Sequence, residues 1–225
     1  MGALTYRERP AAGVAAGSLV LHHGRGADEL DLLGLGDVLD REQRLHVVAP
    51  RAPLTLPGSP GYHWYVVPRV GYPDPDTFHA AYRQLAAFHD ELFERTGIGP
   101  DRTVLGGFSM GTVMSYSLGL GTDRPPPAGI LAFSGFVPVV EGWEPDLSSR
   151  RQLRVFIAHG RNDPIMQIGF AHAARRQLES GGLDVEYHES DAGHTIDPVH
   201  VPHAAAWLDA TLGRSQASGG AGRSL

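Results

Sequence analysis

The sequence contains no cysteine, which excludes disulfide bonds, cysteine-ligated zinc and a cysteine nucleophile. No apolar run approaches the roughly 18 residues that a membrane-spanning helix needs, and no signal-peptide pattern opens the chain. Acidic and basic residues are mixed along the chain, with a formal net charge of -6, so there is no basic stripe that could neutralise phosphates. We therefore expect a cytoplasmic protein that neither inserts stably into a membrane nor binds nucleic acid.

The length and composition fit one globular domain. The 225 residues are 42% hydrophobic, which is enough to build one sizeable core. The last residues, 213–225, are rich in glycine, serine and alanine, a composition typical of flexible segments. We predict a single domain over residues 1–212 and a disordered tail over residues 213–225.

Short apolar runs alternate with longer amphipathic stretches, which is typical of the α/β class. We predict strands at residues 18–21, 45–48, 103–105, 129–133, 155–158 and 184–188. We predict helices at residues 28–40, 77–96, 110–120, 168–180 and 201–212. Strands separated by helices form a mainly parallel sheet with helices on both faces. The active site of such a sheet lies at the carboxyl ends of its strands.

The segment Gly-Phe-Ser-Met-Gly at residues 107–111 matches the nucleophile motif G-x-S-x-G. It lies between a predicted strand and a predicted helix, which is the setting that the motif requires. Glycines on both sides permit the sharp, strained turn that exposes the serine hydroxyl. We predict Ser109 as the nucleophile and the backbone N–H of Met110 as an oxyanion donor. A purely structural glycine turn is the alternative.

A serine hydroxyl needs a base within hydrogen-bond reach, and the base needs a partner that fixes its tautomer. Hydrolases with this motif carry the three residues in the order serine, acid, histidine. Asp163 and His194 each follow a predicted strand after the serine, so we predict them as acid and base. Asp191 and Asp197 are rival acids, but residues so close to a histidine in sequence rarely fold back onto its Nδ1.

The chain contains twelve histidines, and several near the predicted acid and base have alternative interpretations. His159 precedes the acid loop, where we expect a structural role. A cluster of His194, Asp197, His200 and His203 could indicate a metal site, but the rest of the chain supplies no matched ligand pair. We expect neither a metal nor an organic cofactor.

A second glycine-containing turn follows the first predicted strand, at residues 22–28. One of its backbone N–H groups can complete an oxyanion hole with that of Met110, and we predict Arg25 as this donor. The glycine patterns of phosphate-binding loops are absent. Residues 50–76, rich in proline, glycine and aromatic residues, are too long for a simple connector. We interpret them as a pocket wall, with a packed surface loop as the alternative.

These motifs together resemble those of the phospholipase/carboxylesterase family, which includes acyl-protein thioesterases and small bacterial esterases. The matching segments are L-H-H-G-R-G-A-D at residues 21–28, G-G-F-S-M-G at 106–111, S-G-F at 134–136, H-G-R-N-D at 159–163 and G-H-T-I at 193–196. The resemblance covers residues 18–212 and implies an α/β-hydrolase fold without a cap domain. It places Ser109, Asp163 and His194 on the family's triad and Arg25 and Met110 on its oxyanion positions. It also implies that Trp64, near the acyl groove, binds substrate.

Two residues depart from the thioesterases of that family. Met110 stands where they usually carry Gln, and Arg25 where they usually carry an apolar residue. We therefore expect a serine carboxylesterase that hydrolyses short- to medium-chain small-molecule esters through an acyl-enzyme, with lysophospholipase or acyl thioesterase activity as the runner-up. A non-catalytic ligand-binding module and a partner-binding protein are alternatives from other classes. The oligomeric state is open, with a homodimer as one alternative.

Overall fold

The strands form one seven-stranded sheet of order β1-β3-β2-β4-β5-β6-β7. The computed structural model describes residues 3–220, with side chains through residue 213. The strands are β1 (Tyr6–Arg9), β2 (Gly17–His22), β3 (Leu45–Pro50), β4 (Thr103–Phe108), β5 (Gly129–Phe133), β6 (Arg154–Gly160) and β7 (Asp184–Ser190). The helices are α1 (Leu33–Leu39), α2 (Pro75–Thr96), α3 (Met110–Leu120), α4 (Gly169–Ser180) and α5 (Val201–Gly220).

Pairing in the sheet is parallel except at one edge, where β1 runs antiparallel to β3. Side chains that alternate along the strands belong to two separate apolar clusters. Val20 packs in one cluster with residues of α2, α3 and α4, whereas Leu19 and Leu21 pack in the other with residues of α1 and α5. Because successive side chains of a strand point to opposite faces, helices cover both faces. The expected α/β-hydrolase architecture is confirmed.

Three elements, β1, α1 and α5, differ most from the sequence-based expectation. The edge strand β1 was not predicted, because its four residues include three charged ones and it pairs on one side alone. The first helix begins at Leu33 and not at residue 28. Asp28 accepts a hydrogen bond from the N–H of Leu30, and Ala27 pairs with Tyr62, which holds this segment in a non-helical loop.

The last helix, α5, continues to Gly220, eight residues beyond the predicted end at residue 212. It therefore takes in most of the segment for which a disordered tail was predicted. The remainder of that segment, residues 221–225, lies outside the described residues.

Within the described part of the chain, no helix combines the length and the apolar character needed to cross a bilayer. The cytoplasmic location expected from the sequence stays a prediction, which cell fractionation would test.

Candidate active site

Ser109 joins β4 to α3 with a positive φ of 56° and a ψ of -118°, a conformation that is costly for any residue with a side chain. Two glycines make the turn possible. A Cβ on Gly107 would lie 2.5 Å from the carbonyl carbon of Gly111, and one on Gly111 would lie 1.8 Å from the carbonyl oxygen of His22. The N–H of Ser109 donates to the carbonyl of Phe133 at 2.9 Å. The sharp turn therefore rests on close backbone packing.

The side chains of Ser109, His194 and Asp163 form one continuous hydrogen-bonded row. His194 Nε2 lies 2.9 Å from Ser109 Oγ, and its Nδ1 lies 2.6 Å from Asp163 Oδ2. The other carboxylate oxygen accepts the backbone N–H groups of Ile165 and Met166 at 2.9 and 2.8 Å. Because an ionised carboxylate accepts only, the imidazole proton sits on Nδ1. The lone pair of Nε2 then faces the serine hydroxyl.

The loops that carry Asp163 and His194 are joined to each other by their backbones. The N–H of Arg161 donates to Ser190 at 2.7 Å, and the N–H of Asn162 donates to Ala192 at 3.1 Å. Their close contact requires a glycine, since a Cβ on Gly160 would lie 2.3 Å from the carbonyl oxygen of Ala192. These hydrogen bonds fix the position of Asp163 relative to His194.

The rival acids have other partners. Asp191 forms an ion pair with Arg161 at 2.5 Å, and its side chain is 84% exposed. Asp197 accepts the N–H of Val199 at 3.1 Å at the start of a short 3₁₀ helix. Neither carboxylate is hydrogen-bonded to His194, whose Nδ1 lies against Asp163.

The remaining histidines of this region also have structural surroundings. Buried His159 donates from Nε2 to the carbonyl of Met166 at 2.6 Å, and burial lowers its pKa. The rings of His188 and His203 stack with centroids 4.6 Å apart. Among the described side chains, no group of three or more His, Asp or Glu could hold a metal ion.

The second glycine loop lies beside the serine and is tightly held. A Cβ on Gly24 would lie 3.6 Å from Ser109 Cβ. The ring of His23 accepts the N–H of Ala52 at Nε2, 3.0 Å away, so its proton is on Nδ1 and is donated to the carbonyl of Gly24 at 2.7 Å. Burial lowers the pKa of His23, which favours this neutral form. Trp64 Nε1 donates to the carbonyl of His23 at 2.9 Å.

Arg25 and Met110, the two predicted oxyanion positions, both line the cavity above Ser109. Met110 is the first residue of α3, so its N–H is one of the donors that have no partner within the helix. Its Sδ accepts the backbone N–H of Trp64 at 3.2 Å. The loop of Trp64 therefore contacts Met110 directly and contacts the glycine loop through His23.

The position of Trp64 differs from the one that the sequence analysis predicts. Its side chain is fully buried and is not among the residues that line the cavity. The prediction that this indole binds substrate directly is therefore corrected. The indole lies behind the glycine loop and supports it. The resemblance located the right loop, but the neighbouring Tyr65 faces the cavity.

The cavity has a volume of about 360 Å³, at the small end of the range of about 300–1,000 Å³ for ligand sites. One wall comes from the segment at residues 50–76, as the pocket-wall interpretation expects. The lining residues outside the triad and the oxyanion positions are Gly24, Ala27, Asp31, Tyr65, Val67, Arg69, Val70, Gly71, Pro73, Phe108, Phe136, Ile165 and Met166. Most are apolar, so the cavity suits a hydrocarbon chain.

Two supporting groups were not found from the sequence. Buried Glu29 accepts two hydrogen bonds from Arg51, at 2.5 and 2.6 Å, and Arg51 also donates to Tyr62 Oη at 3.0 Å. The hydrogen bond from Arg51 lowers the pKa of Glu29. This network joins the segment after the glycine loop to the end of β3. No local pattern marks it, because its members are far apart in sequence.

The second group lies beneath the serine turn. Ser115 Oγ has carbonyl acceptors on Gly106 and Gly111 at 2.9 and 3.1 Å, and its single proton serves one of them. It then accepts from His22 Nδ1 at 2.8 Å, which leaves His22 Nε2 to accept from His89 Nε2 at 3.2 Å. Burial lowers the pKa of both histidines, that of His89 to about 3.

Comparison with known proteins identifies the family of this chain. The profile of the Phospholipase/Carboxylesterase family matches residues 10–212. Acyl-protein thioesterase 1 of Debaryomyces hansenii is 27% identical over 175 residues, which is 73% of this chain and 74% of that protein. The putative hydrolase MhqD of Bacillus subtilis is 27% identical over 195 residues, 87% of this chain and 94% of that protein.

Solved structures show the same relationship. The structure of esterase PE8 is 30% identical, with a TM-score of 0.78, and the match covers 93% of this chain and all of that one (100%). The carboxylesterase of Bacillus cereus is 25% identical, with a TM-score of 0.81 and coverage of 92% and 94%. Since the family profile spans nearly the whole chain, this protein belongs to the phospholipase/carboxylesterase family of serine hydrolases, as its motifs implied.

Proposed function

We propose that this protein hydrolyses short- to medium-chain carboxylic esters with Ser109 as nucleophile, His194 as base and Asp163 as the acid that orients the base. The observation that carries the proposal is the row of hydrogen bonds from Asp163 Oδ2 to His194 Nδ1 and from His194 Nε2 to Ser109 Oγ. That row opens into an apolar cavity large enough for a small ester.

The arrangement supports acyl transfer in two steps. His194 Nε2 accepts the Ser109 proton as Oγ attacks the ester carbonyl, and the resulting imidazolium is stabilised by Asp163. The imidazolium then protonates the departing alcohol. Water, activated by the same nitrogen, hydrolyses the acyl-enzyme and regenerates the serine.

The negative oxygen that forms during each step needs donors that are already in place. The backbone N–H groups of Met110 and Arg25 are proposed for this role, with the dipole of α3 adding positive potential at its first turn. Support comes from their position beside Ser109 and from the hydrogen bonds that hold the glycine loop.

The first experiment is hydrolysis of p-nitrophenyl esters from acetyl to lauroyl by the wild type and by Ser109→Ala. We expect activity that peaks at short to medium chains and is lost in the variant. Ser180→Ala is the matched control, since this exposed hydroxyl lies at the end of α4 away from the cavity. Labelling of Ser109 by a fluorophosphonate tests the nucleophile independently. Absence of both hydrolysis and labelling would favour a non-catalytic binding module.

A second candidate is hydrolysis of thioesters. It is favoured by curated relatives named acyl-protein thioesterase 1, although Met110 and Arg25 depart from the thioesterase pattern. Comparing oxygen esters and thioesters with one acyl chain decides between the two, since a thioesterase should have the higher kcat/KM for the sulfur compound.

We also propose that residues 1–212 form the single hydrolase domain and that residues 213–225 are a tail outside it, on which activity does not depend. The family match to residues 10–212 supports this. A chain that ends at residue 212 is expected to keep the kcat of the full chain, and a loss of more than half would show that the last residues are needed.

A further inference from the structure

We propose that the cavity selects esters that carry a carboxylate in addition to the scissile ester, and that Arg69 and Arg25 bind this group. The proposal rests on the esterase function proposed above. It concerns the substrate class, which neither the triad nor the apolar walls determine.

Arg69 is held in place on the wall formed by residues 50–76. Its guanidinium lies 3.7 Å from the centre of the Tyr72 ring, and the two residues are also joined by a backbone hydrogen bond of 3.0 Å. Stacking on an aromatic ring restricts a guanidinium while its N–H groups stay free to donate in the plane. A preorganised guanidinium is suited to binding a planar carboxylate.

Arg25 approaches the cavity from the opposite element, the glycine loop. It follows Gly24, whose backbone packs against Ser109, and its side chain is exposed and lines the cavity. The pKa of His63 is lowered mainly by burial of that histidine, and the positive charge of Arg25 lowers it further. The charge of Arg25 therefore acts on neighbouring groups. Arg25 therefore adds a second positive charge to the lining of the cavity that contains Ser109.

Neither cavity arginine has a carboxylate partner among the described residues, although other arginines of the chain do. Arg51 pairs with Glu29, and Arg161 pairs with Glu189 and Asp191. The lining contains one carboxylate, Asp31, and burial raises its pKa. Two cations thus face one anion, in a chain whose formal net charge is -6.

Much of the remaining lining is apolar, and includes Val67, Val70 and Phe136. The arrangement therefore fits a short hydrocarbon chain with an ester at one end and a charged group at the other. A bidentate guanidinium contact favours a planar carboxylate over a neutral end group of equal length.

The test uses two pairs of substrates, each an anionic ester and its neutral methyl ester, with kcat/KM expressed per scissile ester group. Monomethyl adipate and dimethyl adipate place the carboxylate on the acyl side, whereas 4-acetoxybenzoate and its methyl ester place it on the alcohol side. In at least one pair we expect the anionic ester to have a kcat/KM roughly tenfold higher, as for one charge-assisted hydrogen bond. The preference should appear mainly in KM and fall with added salt.

The variant Arg69→Gln should reduce the ratio of anionic to neutral kcat/KM at least threefold, and Arg69→Glu should invert the preference. Arg83→Gln, an exposed residue of α2 outside the cavity, removes the same charge elsewhere and should leave the ratio unchanged. Arg25→Gln is evaluated by the same ratio of anionic to neutral kcat/KM. Any effect on the backbone donor of residue 25 is common to the two substrates and cancels in this ratio.

The outcomes separate this inference from the proposed function. If neutral esters are hydrolysed as well as anionic ones in both pairs, the carboxylate inference is overturned and the esterase proposal stands. If no ester is hydrolysed and no fluorophosphonate labels Ser109, both are overturned. A preference that Arg69→Gln does not change also overturns the assignment of these arginines.

Discussion

Asp163 reaches His194 with one carboxylate oxygen while the other is held by its own loop. Oδ2 lies 2.6 Å from His194 Nδ1, and Oδ1 accepts the N–H groups of Ile165 and Met166. The two functions of the carboxylate are therefore divided between its oxygens. Its orientation does not depend on the histidine.

We expect Asp163→Asn to lower kcat about 10³- to 10⁴-fold, with a small change in KM. The amide that replaces Oδ2 can present an N–H to the histidine, which favours the wrong tautomer. Hydrolysis of p-nitrophenyl acetate checks this. Asp191→Asn is the matched control, because that carboxylate is exposed and pairs with Arg161. A loss of less than tenfold in Asp163→Asn would contradict the orienting role.

Trp64→Phe should lower kcat roughly tenfold and destabilise the fold by about 1–3 kcal/mol, since the buried carbonyl of His23 loses its donor. The indole Nε1 supplies that hydrogen bond at 2.9 Å. The measurements are ester kinetics and urea unfolding. The control is Trp143→Phe, because the indole Nε1 of Trp143 has no hydrogen-bond partner among the described residues, so this change should leave kcat intact. Equal effects in the two variants would mean that lost packing is responsible.

Glu29→Gln should reduce the free energy of unfolding by about 2–3 kcal/mol, somewhat below the 3–5 kcal/mol typical of a broken buried pair, because Arg51 is 30% exposed. Glu179→Gln removes an exposed i,i+4 pair with Arg175 and should cost at most about 0.5 kcal/mol. Thermal or urea unfolding measures both. Similar values for the two would show that the Glu29 network does not stabilise the loop.

Stability should fall on acidification because of His22 and His89. Their pKa values in the folded protein lie below the unfolded value of about 6.5, mainly through burial. Charge on His89 and His23 lowers the pKa of His22 further, and Arg124 lowers that of His89. As the pH falls below about 6.5, the unfolded chain binds protons that the folded one excludes. Each such histidine then lowers the free energy of unfolding by up to about 1.4 kcal/mol per pH unit.

The variant His89→Gln keeps an amide donor toward His22 and removes one titrating group. Its free energy of unfolding should depend less steeply on pH between about 4.5 and 6.5, by up to one histidine's share. His79→Gln, near the surface on the same helix, leaves the buried pair intact. Equal slopes for wild type and His89→Gln would refute the assignment.

Gly111→Ala should abolish activity and prevent normal folding, since the new Cβ would lie 1.8 Å from the carbonyl oxygen of His22. No side-chain rotation relieves a clash between backbone atoms. Gly34→Ala is the control, because no described atom beyond its chain neighbours and its own helix backbone lies within 4 Å of the added methyl, and alanine should stabilise α1 by about 0.5–1 kcal/mol. Circular dichroism and ester hydrolysis compare the two. An active Gly111→Ala variant would disprove the close packing.

The sequence predicted the sheet and the positions of Ser109, Asp163 and His194, because each is marked locally by a strand followed by a characteristic loop. It did not predict the position of Trp64. Whether an aromatic side chain faces a cavity or the core depends on how its loop lies against another, here on the hydrogen bond to His23. The network of Glu29 and the pair of His22 and His89 were missed for the same reason. Contacts between distant segments leave no periodic pattern.

His194, the proposed base, lies in the loop that follows the last strand, which has a consequence for how activity is lost. β7 is the edge of the sheet and pairs with β6 alone, so it can open locally at a lower free energy than the central strands. Such opening would carry the imidazole away while β4 and the serine turn stay folded. The rate of ester hydrolysis therefore depends on whether β7 is folded. Mild heat or denaturant should abolish activity reversibly before the spectroscopic signals of core unfolding change.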